Sequence, residues 1–191
     1  METYRLFVAV EAPPDVKAEL AAAQERLRRT DAAVKWVAPE ALHMTLHFLG
    51  ETDVELLPRL GAALRAALAG HTAVAVRLDG IGAFPNLRRP SIVWAGIGGA
   101  TAALERVYVA SGAALEALGL PRDARPFRAH LTLGRVRREA APAQLERLGR
   151  AIRSLPPFAP VPWVIERVVL FRSELRPSGP VYTALETAPL V

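Results

Sequence analysis

Cysteine is absent from the chain and lysine is nearly so. Without a thiol there is no disulfide framework and no thiolate metal site, which suits a reducing compartment and points to the cytoplasm. Only Lys17 and Lys35 are lysines, so the net charge of +5 comes almost wholly from arginine. Nowhere does the chain approach the ~18 uninterrupted apolar residues that a membrane-spanning helix needs. The opening stretch METYRLFVAVEAPPD has no basic region followed by a long apolar one, so neither a leader nor a membrane anchor is expected. Missing too is any Pro/Ser/Gly stretch long enough to separate independent domains.

What remains is a chain of 191 residues, 51% hydrophobic and 23% charged, which is the make-up of a globular protein with a real core. A single two-lobed domain over 1–191 is expected, with nothing that calls for more than a monomer. Its arginines carry planar forks that suit phosphate, so the charge is compatible with a polyanionic partner.

Helical and strand patterns interleave along the whole length. YRLFVAV (4–10) reads as a strand, and Pro13, Pro14 and Asp15 open an amphipathic helix that runs to about Arg29. VKWV (34–37) reads as a short strand leading to a longer one in ALHMTLHFLG. Leucines at 56, 57, 60, 64 and 68 have helical spacing. Strands are expected over 72–84 and 91–97, a helix over about 101–118, a strand over 129–136 and a helix over about 142–154. Two strands, 161–175 and 181–186, close the chain around the turn RPSGP. The hairpin-like pairs at 72–97 and 161–186 indicate antiparallel sheets in an α+β fold rather than a parallel doubly wound one.

Within ALHMTLHFLG, strand alternation sends Met44, Leu46 and Phe48 to one face and His43, Thr45 and His47 to the other. RAHLTLGRV repeats the arrangement with His130 and Thr132. Four histidines and nine threonines in 191 residues give four times nine over 191, about 0.2 chance occurrences of His-x-Thr, yet two are present and both are followed by leucine. Two imidazoles facing each other across a phosphodiester are what in-line cleavage requires, one taking a proton from the nucleophile and the other giving one to the leaving oxygen. A threonine two residues along each strand face sets a hydroxyl beside each imidazole, able to donate to a non-bridging phosphoryl oxygen.

HMTL and HLTL, with RLFVAVEAP, HFLGE, IVWAGI, HLTLGR and GPVYTALE around them, resemble the two-histidine (2H) phosphoesterases, and closely their bacterial RNA 2′,3′-cyclic phosphodiesterase branch, once named 2′-5′ RNA ligase. The resemblance spans nearly the whole chain. It implies a bilobal α+β fold of two pseudo-symmetric halves, each with an antiparallel sheet and flanking helices, around a central cleft. It further implies hydrolysis of the 2′,3′-cyclic phosphate at RNA 3′ ends, transfer-RNA fragments among them, to a 2′-phosphate, with no cofactor and no metal. Carried over by position, His43 is the proton donor to the departing 3′ oxygen, His130 is the acceptor that activates water, and Thr45 and Thr132 hold the phosphate. The two motifs are chemically near-symmetric, so this allocation comes from the family.

Several neighbours are candidates for substrate contact. Arg135 falls on the opposite strand face from Thr132 unless Gly134 permits a bulge, and the similar family keeps an arginine here beside the substrate. Phe48 and Trp94 are candidates to stack on a base, with core packing as the competing role. His47 is expected at the periphery of the polar face and His71 at a helix end. Arg88, Arg89, Arg122, Arg125 and Arg128 lie near the motifs, as a rim attracting RNA or as solvated charge. Three rival activities remain in view: a zinc hydrolase, although neither motif has an acidic residue on its polar face; a non-catalytic RNA or nucleotide-binding module; and a 2′-5′ RNA ligase running the reverse chemistry. An ATP-dependent ligase is not expected, for want of a Gly-rich phosphate loop.

Overall fold

The computed structural model describes residues 2–121, 126–177 and 179–191. Arg122 and Arg125 of the proposed arginine rim, and Ser178 of the RPSGP turn, lie outside the described residues. In chain order the elements are β1 (Thr3–Glu11), α1 (Pro14–Arg28), β2 (Val34–Trp36), β3 (His43–Asp53), α2 (Leu57–Leu68), β4 (Val74–Phe84), β5 (Ile92–Gly99), α3 (Thr101–Glu116), β6 (His130–Val136), α4 (Pro142–Ser154), β7 (Trp163–Ile165), β8 (Arg167–Arg176) and β9 (Gly179–Pro189).

Two antiparallel sheets divide these strands. One has the order β3-β1-β8-β9, the other β2-β6-β5-β4-β7. Helices α2 and α3 pack together on the first, with α3 against β3 and α2 against β9, while α4 contacts α1 and packs on β4 of the second. The fold is therefore the bilobal α+β arrangement expected. Its lobes are not successive halves of the chain, however. The first sheet takes β1 and β3 from the N-terminal part and β8 and β9 from the C-terminal part, while the second takes β2 from between β1 and β3 and β4 to β7 from between β3 and β8.

The interleaving explains one departure from the sequence reading. Residues 161–175 read as one strand but form two: β7 pairs with β4 in the second sheet, and β8 pairs with β1 in the first. Glu166 stands between them, where the chain passes from one lobe to the other. Pro14 at the first turn of α1 has no amide to satisfy, so the helix begins directly after β1. Its buried stripe, Val16, Leu20, Ala23, Gln24 and Leu27, has the 3-4 spacing of a helix that covers a sheet. Full burial of leucines such as Leu20, Leu64, Leu131 and Leu133 supplies the apolar driving force, roughly 1.5–3 kcal/mol each.

Candidate active site

The two histidine strands lie at the seam between the sheets. β3 is an edge strand, and β6 has only the three-residue β2 outside it, so the ends carrying His43 and His130 can approach each other. Cα atoms of β3 and β6 come within 8 Å across this seam.

Each histidine begins its strand and is tethered in the same way. Nδ1 of His43 donates to the carbonyl of Ala41 at 2.7 Å, and Nδ1 of His130 to that of Arg128 at 2.6 Å. A carbonyl only accepts, so the bond requires Nδ1–H and leaves Nε2 as the proton-exchanging nitrogen. Both rings are half-buried against aromatics. His43 packs on Phe7 (centroids 4.9 Å) and edge-on to Tyr182 (5.1 Å), while His130 is edge-on to Phe84 (5.4 Å). Burial, reinforced by the charge of Lys17, lowers the pKa of His43 below 6.5 although the Ala41 bond pulls the other way.

A bulge follows each threonine. In β3, Ala9 pairs with Thr45 and Val8 with His47, so Leu46 is an extra residue; in β6, Trp94 pairs with Thr132 and Val93 with Gly134, so Leu133 is extra. The extra residue reverses the alternation beyond it. His47 consequently enters the core at 6% exposed, and Phe48 emerges at 61%. The expectation of a peripheral His47 and of a core-packed Phe48 is corrected on both counts. The same shift returns Arg135 to the face of His130 and Thr132, because its partner Ile92 and Trp94 are two apart on β5. Phe48 and Arg135 thus hold equivalent places, three residues beyond Thr45 and Thr132.

Thr45 and Thr132 are half-buried on the faces of their histidines. Trp94, also half-buried, lies across its sheet, since a Cβ on Gly82 would stand 2.3 Å from its Cζ2. With Phe84 it walls His130, which makes it a packing residue of the site. Arg88, Arg89 and Arg128 are exposed, and Asn86 Oδ1 accepts from the amides of Arg88 and Arg89 to fix their turn. His71 closes the turn after α2, its amide donating to Leu68, as its position suggested.

Two contributors escaped the sequence reading. Tyr182 on β9 packs on both His43 and Phe7, and burial raises its hydroxyl above the usual 10.0 against the opposing charges of Arg135 and Arg5. A neutral phenol of one sheet thus lies within the field of an arginine on the other. Nothing local marks it beyond its place in GPVYTALE. Gln24, 3% exposed, donates from Nε2 to the carbonyls of Val37 and Leu133, both at 2.8 Å. It pins the bulge beside Thr132, and its signal was a polar residue within the apolar stripe of α1. Among the described residues, no three of His, Asp and Glu converge as metal ligands would, and no helix is long and apolar enough to cross a membrane.

The family model LigT-like phosphoesterase matches residues 10–94 and 99–182. A Thermus thermophilus protein named RNA 2′,3′-cyclic phosphodiesterase is 39% identical over 190 residues, covering 95% of this chain and 88% of its own. One of the same name from Methanothermobacter thermautotrophicus is 32% identical over 188 residues, covering 95% and 96%. A crystal structure from Thermus thermophilus superposes with a TM-score of 0.79 at 35% identity over 97% of both chains. The Escherichia coli LigT structure with 3′-AMP shares the fold, with a TM-score of 0.79 at 23% identity over 100% of this chain and 99% of that one. By the family match across most of its length and by these relatives, the chain belongs to the LigT-like phosphoesterases.

Proposed function

We propose that the protein hydrolyses the 2′,3′-cyclic phosphate at RNA 3′ ends, without a metal, to leave a 2′-phosphomonoester. The observation that carries this reading is the twin tether: each motif histidine spends Nδ1–H on the carbonyl two residues back and keeps Nε2 for chemistry. Water attacks phosphorus as His130 Nε2 takes its proton. The bond from phosphorus to the 3′ oxygen breaks on the far side, and His43 Nε2–H protonates that oxygen. His130 ends charged and His43 neutral, and exchange with solvent restores both. Thr45 and Thr132 donate to the non-bridging oxygens, where charge accumulates, and Arg135 adds its cation. Tyr182, kept un-ionised by burial, does not repel the anion.

Burial holds His43 neutral in the free protein, whereas its role as donor needs the imidazolium. The substrate supplies the difference, because a phosphodiester anion beside the ring favours its charged form. With the 3′ oxygen leaving toward His43, the terminal ribose lies against the first sheet, where the exposed ring of Phe48 offers its base a stacking surface. Trp94 borders the opposite side as a wall to the water-activating histidine.

The test is an RNA ending in a 2′,3′-cyclic phosphate, incubated in EDTA with the product's phosphate position identified. Turnover to a 2′-phosphate is expected, with losses of about 10²–10⁴-fold for His43→Ala and for His130→Ala. Near wild-type rates in both variants would overturn the assignment.

A further inference from the structure

The first histidine strand carries a second imidazole that the hydrolysis reading leaves unused. His47 stacks on Tyr108 of α3, with ring centroids 4.6 Å apart and planes 16° from parallel. Tyr108 in turn stacks on Phe127, at 4.2 Å and 11°. Two near-parallel rings at those separations are too large to share one face of Tyr108, so the three form a column with Tyr108 in the middle. The His47 end is fixed by hydrogen bonds. Ser111 Oγ–H donates to the Val107 carbonyl at 2.7 Å, and His47 Nε2–H donates to Ser111 Oγ at 2.9 Å and toward the Tyr108 carbonyl at 3.1 Å. Gly112 leaves the slot open, since a Cβ there would come within 3.0 Å of His47 Cε1.

The far end of the column is next to the second motif. Phe127 immediately precedes Arg128, whose carbonyl holds His130 Nδ1 at 2.6 Å. We propose that His47 and Tyr108 are positioning residues for His130: the column extends from the strand of one catalytic histidine to the carbonyl that orients the other, and so keeps His130 Nε2 aimed at the phosphate. A three-ring stack is stiff toward the sideways movement that would carry the 127–129 segment away from His130. The reading of His130 as a base underlies the kinetic consequence, but the orientation of its ring is observable without substrate.

The test compares Tyr108→Leu, which removes the middle plate, with Tyr108→Phe, which keeps it. Imidazole nitrogen NMR should show His130 wholly as the Nδ1–H tautomer in the wild type and in Tyr108→Phe, and as a tautomer mixture in Tyr108→Leu. On the cyclic-phosphate RNA, kcat of Tyr108→Leu should fall about 10–100-fold with KM within about twofold, the pattern of a displaced catalytic group. If Tyr108→Leu does not fold, Gly112→Ala serves instead, because its methyl presses on His47 while all three rings remain. A tautomer shift supports the column even in a protein that does not turn over that RNA, which would count against the hydrolysis reading alone. Folded variants that lose stability while the His130 tautomer and kcat stay at wild-type values overturn the proposal.

Discussion

Replacing Gln24 with methionine removes two hydrogen bonds at the wall of the site while leaving the side-chain volume nearly unchanged. Both bonds come from a single Nε2, which donates to Val37 and Leu133 at 2.8 Å. The Leu133 carbonyl retains a second donor, the Val37 amide at 2.9 Å, so its loss is one bond of two, about 1 kcal/mol. The Val37 carbonyl loses the side-chain donor that reaches it in a half-buried position, for about 1–2 kcal/mol. The sum is about 2–3 kcal/mol, or roughly 4–12 °C in Tm for a chain of this size. Because Leu133 is the bulged residue after Thr132, slack there also disturbs the hydroxyl proposed to hold the phosphate, and kcat should fall with Tm. Differential scanning calorimetry and turnover of a cyclic-phosphate RNA measure the two effects. A Tm within about 1 °C of wild type with unchanged kcat would refute the claim that this amide holds the bulge.

Three further outcomes are expected. In the free enzyme the alkaline limb belongs to His43 as the proposed proton donor, and its pKa is lowered by burial and by Lys17, so kcat/KM should decline with rising pH from below 6.5. Removing a nearby cation favours the imidazolium, so Lys17→Met should move that decline to higher pH; a shift the other way, or none, removes Lys17 from the account. Phe48→Ala should leave Tm unchanged, because the ring is 61% exposed, yet raise KM for RNA by roughly 5–150-fold, the equivalent of about 1–3 kcal/mol of base stacking. An unchanged KM would make Phe48 mere surface. Gly82→Ala places a methyl 2.3 Å from Trp94 Cζ2, which forces the indole aside at about 1–3 kcal/mol and should change tryptophan fluorescence. Unaltered emission and stability would contradict the close seating of that ring.

The repeated His-x-Thr-Leu was visible because strand periodicity is local: His43, Thr45, His130 and Thr132 needed only their own neighbours to be noticed. What lay beyond each leucine was not, since a bulge is a relation between two strands and only β1 and β5 define it. Strict alternation therefore put His47 outside, Phe48 inside and Arg135 on the face opposite Thr132 unless Gly134 allowed a bulge. The break at Glu166 was hidden for a similar reason. Residues on both sides suit strand, and only the choice of partner strand separates them. Gln24 shows itself as a polar residue in the apolar stripe of α1, but its partners, the carbonyls of Val37 and Leu133, lie outside the helix and no spacing within it names them.

The passage of the chain between lobes at Glu166 has a consequence for assembly. Phe171 and Tyr182, which floor the surroundings of His43, arrive with the last two strands, while His43 itself leaves the ribosome early. The first motif accordingly waits through synthesis for its own surroundings, and no cut between the two motifs yields a fragment that carries a finished half. Activity should emerge only once the β8–β9 hairpin is in place, so the catalytic centre reports on whether that hairpin has docked.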